Sequence, residues 1–151
     1  GLRDAGVLAT LYYAAATAVE VANLDVNHLQ FKRKSVLLHG DGGVRRRVTM
    51  APELRELLKR YASDARRLVL AQSGLGDDEK AFFLANKPHR LRVQDVRQIL
   101  GTNVKASGVG GSVNLNTLRL SRAWHLREQG MSPDAIQRFL GTPSRSGRNV
   151  V

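Results

Sequence analysis

The chain contains no cysteine among its 151 residues, which excludes disulfides and thiolate metal sites and is compatible with a cytosolic setting. No run of 18 apolar residues occurs, so no segment is long enough to cross a membrane as a helix. No signal-peptide pattern opens the chain. The four histidines, His28, His39, His89 and His125, show no metal-ligand spacing, and no metal or other cofactor is expected. Internal repeats and low-complexity tracts are also missing. The first residue is glycine rather than methionine, so the expectation is one domain, residues 1–151, belonging to a longer chain and large enough to bury a core.

Acidic residues are scarce. Thirteen Asp and Glu face twenty-four Lys and Arg, for a formal charge of +11 and a sequence pI of about 11.0. The imbalance is concentrated late: residues 86–151 hold eleven Lys/Arg and three acids, net +8, whereas residues 1–85 hold thirteen and ten, net +3. A basic half on a globular domain suits a polyanion, of which nucleic acid is the commonest. A solvated basic surface, or a ribosome-like or membrane-surface binder, is the competing reading.

The order of elements is mostly helical. Residues 3–16 are apolar with few charges, a buried helix built on Val7, Leu8, Leu11 and Tyr12, and VEVANL (19–24) reads as a short second helix. HLQF (28–31), SVLLH (35–39) and RRRVTM (45–50) read as three short strands. KRK (32–34) and GDGG (40–43) form the turns between them, the adjacent glycines permitting positive φ. Pro52 opens the longest helix at its N1 position, with Leu54, Leu57, Leu58, Tyr61, Ala65 and Leu68 as the core-facing stripe. A solvated loop (73–80), a buried AFFLA (81–85) and a basic KPHR turn (87–90) precede a helix from about Arg92 to Ala106. After a GVGGS linker (108–112) come two short helices. Gly130 stops the first, Ser132-Pro133 cap the second, and Gly141 ends it. The fold class expected is mainly α with a small three-stranded antiparallel sheet (α+β).

Five blocks, in order, carry a resemblance. RDAGVLATLYYAAAT (3–17), HGDGGVRRRVTMAPEL (39–54), AFFLA with KPHRLRVQDVRQIL (87–100), NTLRL (116–120) and QRFLGT (137–142) resemble the catalytic domain of tyrosine recombinases, the phage-integrase and Xer family. The resemblance implies that domain's fold over nearly the whole chain, and a setting of DNA recombination or integration. The chemistry it implies is attack of a tyrosine on a DNA phosphodiester. Two arginines grip the non-bridging oxygens, a lysine protonates the leaving oxygen, and histidines assist.

Carried over position by position, most of that machinery is replaced. The first arginine falls on Thr17, the hairpin lysine on Asp41, and the histidine before the second arginine on Asn116. The second arginine is Arg119, the one retained position. The histidine after it falls on Leu120, the L-G-H histidine on Thr142 and the nucleophile on Val151. The tyrosines present, Tyr12, Tyr13 and Tyr61, lie in early helices and read as core. Losing one electrostatic stabiliser costs about 2.7–4 kcal/mol of barrier, and a missing nucleophile has no substitute among the others. A DNA-binding domain that has lost cleavage is therefore expected. The alternatives are an active recombinase whose tyrosine lies beyond residue 151, and a helix-turn-helix regulator built on residues 125–141.

Candidate DNA contacts begin with Arg45, Arg46 and Arg47, which alternate faces along a strand and serve either as phosphate contacts or as a charged strand edge. By resemblance the helix from Arg92 enters the major groove, with Lys87, His89, Arg90 and Arg92 at its start and Gln94, Arg97 and Lys105 along its face. Arg119 and Arg122 share one face of the next helix. Arg145 and Arg148 lie in the tail, as phosphate contacts or as disordered residues. Trp124 and Phe139 read as core. Expected partners are double-stranded DNA and other recombinase protomers, with no membrane. The chain itself is expected to be monomeric, in a cytoplasmic, nucleoid-associated setting.

Overall fold

Helix α1 (Leu2–Tyr13) turns Val7 and Leu11 fully inward, and the remaining elements assemble around it. In the computed structural model, residues 1–74, 76, 79–87, 89–108 and 113–141 are described. Thr17 caps α2 (Ala18–Ala22): its hydroxyl accepts from the Glu20 N–H at 3.1 Å, while the Glu20 carboxylate accepts from the Thr17 N–H at 2.9 Å. A 3-10 turn (Val26–His28) then leads into the sheet. β1 (Leu29–Gln30), β2 (Ser35–His39) and β3 (Arg45–Thr49) pair antiparallel in that order, with Val36 opposite Val48 and Leu38 opposite Arg46. Val36, Leu38 and Val48 face the core. The hairpin between β2 and β3 turns at Gly42 and Gly43, both at positive φ (67° and 76°), as the glycine spacing requires.

α3 (Pro52–Arg60) begins with Pro52 in its first turn and buries Leu54 and Leu58. It continues through a π turn (Tyr61–Arg66) into α4 (Arg67–Ser73). The π turn corrects the expected stripe. One residue is inserted into the helical register, so Leu68 points to solvent (57% exposed) while Arg66 and Leu70 go inside. Buried Arg66 is satisfied by backbone: its guanidinium donates to the carbonyls of Glu79, Ala81 and Phe82 at 2.7–3.2 Å. The Tyr61 hydroxyl accepts from the Leu84 N–H at 3.0 Å. These two side chains hold the extended segment 81–85 against the helix, where Phe82 and Phe83 join Tyr61 in an aromatic cluster with centroids 4.9–5.3 Å apart.

α5 (Val93–Ser107) follows, its Asp95 carboxylate accepting from the Arg92 N–H at 2.9 Å. α6 (Leu115–Glu128) is capped by Asn114, whose side chain accepts from the Thr117 N–H at 3.0 Å. α7 (Pro133–Leu140) is capped by Ser132, as its sequence indicates, and ends at Gly141 with φ 71°.

Candidate nucleic-acid interface

Around Thr17 the structure builds a charged cluster rather than an open phosphate cradle. The Thr17 hydroxyl is committed to capping α2. Glu20, buried among apolar neighbours, receives Arg46: Nε donates to Oε2 at 2.9 Å and Nη2 to Oε1 at 3.0 Å. Nη2 also donates to the carbonyls of Ala14 and Ala15 at 2.9 and 3.0 Å, and Nη1 donates to the Phe139 carbonyl. Arg46 thus ties the ends of α1 and α7 to α2. The expectation that it contacts DNA gives way, because strand alternation sends its side chain inward and leaves it 8% exposed.

Arg119 stands beside this pair, half-buried, with Nη2 donating to the Leu140 carbonyl at 2.7 Å. Burial and then the charge of Arg46 push its guanidinium below the usual arginine range, with Glu20 acting the other way. Burial alone would raise the Glu20 carboxyl. The hydrogen bond and charge of Arg46, the Thr17 backbone and the charge of Arg119 outweigh burial and hold it below its ordinary value. Two guanidinium ions against one carboxylate leave the cluster net positive.

The other positions read as replaced lie on different elements. Asp41 is exposed at the hairpin tip, Asn116 is exposed in the first turn of α6, and Leu120 presents its side chain to solvent at 62% exposure. Arg119 lies in the second turn of α6. Thr142, Arg145, Arg148 and Val151 lie outside the described residues.

Several expected DNA contacts are engaged inside the protein. Arg90 pairs with the Asp25 carboxylate and donates to the carbonyls of Ala22 and Leu24, stapling the 81–90 segment to the end of α2. Arg122 donates to the Tyr13 carbonyl at 3.2 Å, its guanidinium lying 5.5 and 5.3 Å from the ring centroids of Tyr12 and Tyr13. His89 Nδ1 is bonded to the Arg90 carbonyl, and Arg47 donates to the Ser35 hydroxyl at 3.2 Å. Arg45, Lys87, Arg92, Gln94, Arg97 and Lys105 are exposed, and none of these five cations has a carboxylate partner among the described residues. A cavity of about 390 Å³ between α5 and the start of α6 places Arg97 beside Asn114 and Asn116. The outer face of α5 therefore runs into the helix that carries Arg119.

The aromatic assignments also divide. Tyr61 is core at 1% exposed, but Tyr12 and Tyr13 are only half-buried, and the Tyr12 hydroxyl meets His125 Nδ1 between α1 and α6. Phe139 packs against the core, whereas Trp124 is 58% exposed. The inward positions of α6 are Leu115, Leu118, Arg122 and Leu126, a helical spacing that Trp124 falls outside. That spacing was available in the sequence. So was the signal for Glu20, a lone acid in an otherwise apolar stretch, which sequence reasoning missed.

Comparison with known proteins decides the family. Residues 1–146 match the phage integrase family. The chain belongs to that family. Tyrosine recombinase XerD of Mycobacterium tuberculosis is 34% identical over 143 residues, covering 95% of this chain and 45% of that protein. Tyrosine recombinase XerC of Thermodesulfovibrio yellowstonii is 29% identical over 148 residues, covering 98% and 49%. The chain thus spans about half the length of the curated relatives it matches. Among solved structures, XerA recombinase superposes with a TM-score of 0.82 at 21% identity, over 99% of this chain and 52% of that one. XerH recombinase bound to its difH substrate superposes at 0.73 and 18% identity, over 99% and 42%. The phage-integrase fold expected from the five sequence blocks is therefore the fold of this chain, a tyrosine recombinase catalytic-domain architecture with its three-stranded antiparallel sheet.

Proposed function

We propose that this domain binds double-stranded DNA through the outer face of α5 and does not cleave it. The carrying observation is the contrast between two sets of basic residues. Arg46, Arg90 and Arg122 are consumed by internal contacts, while Arg45, Lys87, Arg92, Arg97 and Lys105 are exposed without carboxylate partners. Solved relatives bound to DNA, such as XerH on its difH substrate and lambda integrase on a core site, support DNA as the partner. In this reading Arg92 and Gln94 read base edges, and Arg119, which spends one hydrogen bond on Leu140, keeps donors for a phosphate. Loss of cleavage follows from Thr17, Asp41, Asn116 and Leu120 in place of the family's reacting groups. None of the four supplies a cation, and Asp41 brings an anion. The domain then acts as an architectural or regulatory subunit in recombination, beside recombinase protomers, in the cytoplasm on the nucleoid.

The test is a salt titration of duplex binding. If each of the five exposed cations neutralises one phosphate, log K falls with log salt at a slope of about −4.5, roughly 500-fold between about 50 and 200 mM. Arg97→Ala with Lys105→Ala lowers that slope by about 1.8. Binding insensitive to salt, or unchanged by the two substitutions, refutes the α5 interface.

A further inference from the structure

A second basic surface lies away from α5. A groove of about 590 Å³ runs between β3 with the start of α3 on one side and α6 with α7 on the other. Its accessible floor is apolar, Pro52, Met131, Ala135 and Phe139, resting on buried Met50 and Leu126. Arg47 and Arg55 stand on the first wall and Arg138 on the second, beside Arg122, which is spent on the Tyr13 carbonyl. No carboxylate lines it, and none of the four arginines is ion-paired among the described residues. The positive lining ends at Arg122, beyond which the adjoining groove carries Glu53 and Glu128.

We propose that this groove docks an acidic amphipathic helix of a partner protein. A nucleic-acid backbone matches the arginines but has no apolar stripe to cover the floor. A helix with apolar residues at i, i+3, i+4 and i+7, flanked by Asp or Glu, matches both the floor and the walls. The partly exposed Met131 suits a surface that adapts to such a stripe. The walls give orientation and association rate through charge complementarity, and the floor gives the buried apolar contact. This interaction is independent of DNA binding, because Arg55, Arg138 and the floor residues take no part in the α5 face.

The probe is a short synthetic helix of leucine and glutamate with that spacing, labelled and read by fluorescence anisotropy against the 151-residue protein. The expected result is saturable binding that a scrambled peptide of equal composition shows about tenfold more weakly, a difference of roughly 1.4 kcal/mol. Arg55→Glu with Arg138→Glu, checked for folding by circular dichroism, also weakens it about tenfold or more. Ala135→Trp fills the groove without changing charge; it weakens the peptide while leaving the DNA salt slope unaltered. Equal binding of the scrambled peptide, or no binding up to millimolar concentration, overturns the proposal. So does a loss of DNA affinity in the Ala135→Trp protein that parallels the peptide's, which would make the groove a DNA surface. Self-association abolished by the same substitutions overturns it as well, by making the occupant a second copy of this chain.

Discussion

Replacing Arg46 with methionine tests the claim that this arginine serves the fold and not DNA. The substitution removes five hydrogen bonds, two to Glu20 and one each to the carbonyls of Ala14, Ala15 and Phe139. Methionine fills similar space, so the loss is mainly electrostatic. Removing one member of a buried ion pair costs about 3–5 kcal/mol, because the other is left without compensation. Against a total stability of roughly 5–15 kcal/mol, and an m-value of about 2 kcal/mol per molar in urea, the midpoint drops by about 2 M. The assay is urea unfolding followed by far-UV circular dichroism, since Trp124 is already 58% exposed and reports little on folding. Glu20→Gln alone destabilises too, and the double substitution costs less than the two singles together, with a coupling of about 2 kcal/mol. DNA affinity per folded molecule stays unchanged. A midpoint shift below about 0.5 M, with no coupling, would refute the reasoning.

Gly141 ends α7 at φ 71°, and a Cβ there would lie 2.8 Å from Arg46 Cδ. Gly141→Ala therefore costs about 1–2 kcal/mol in backbone conformation alone, plus the displacement of Arg46, and the cost shrinks in the Arg46→Met background when measured by the same urea unfolding. Stability falls on acidification in two stages. The imidazole of His28 is held below 6.5 by burial, His39, Arg90 and Arg45, against Asp25, so its contribution is complete above about pH 6.5 and lost as pH falls through the lowered value. Glu20, held below 4.5, contributes fully above about pH 4.5 and loses its contribution as pH falls further. Thermal melts across this range show both stages, and Glu20→Gln removes the lower one; a lower stage that persists in Glu20→Gln refutes the assignment.

Element order was legible in the sequence because the turn and cap signals were local. Pro52, Ser132-Pro133, Gly42-Gly43 and Gly141 each fix a backbone conformation that neighbours do not alter. What escaped was whatever depends on tertiary partners. The π turn at Tyr61–Arg66 is imposed by the need to place Tyr61 and Arg66 on the 81–85 backbone, and nothing in the helical stripe announces it. Ala15 adopts φ 48°, an unusual conformation for alanine, and its carbonyl serves Arg46. At the candidate site the carry-over that puts Thr17, Asp41, Asn116 and Leu120 at the family's reacting positions came from the sequence, residue by residue. The inward face of β3 was readable as well, because Arg46 alternates with the apolar Val48 and Met50; its partner, the buried carboxylate of Glu20, was not.

The most direct test of DNA binding without cleavage is covalent trapping on a nicked suicide duplex. The full-length protein is incubated with the nicked DNA and resolved on a denaturing gel, with a mobility shift on the same DNA run in parallel. A salt-sensitive shift without any protein–DNA adduct is the predicted result. A covalent adduct would contradict it, and would mean that a nucleophile acts on the phosphate despite the substitutions around Arg119.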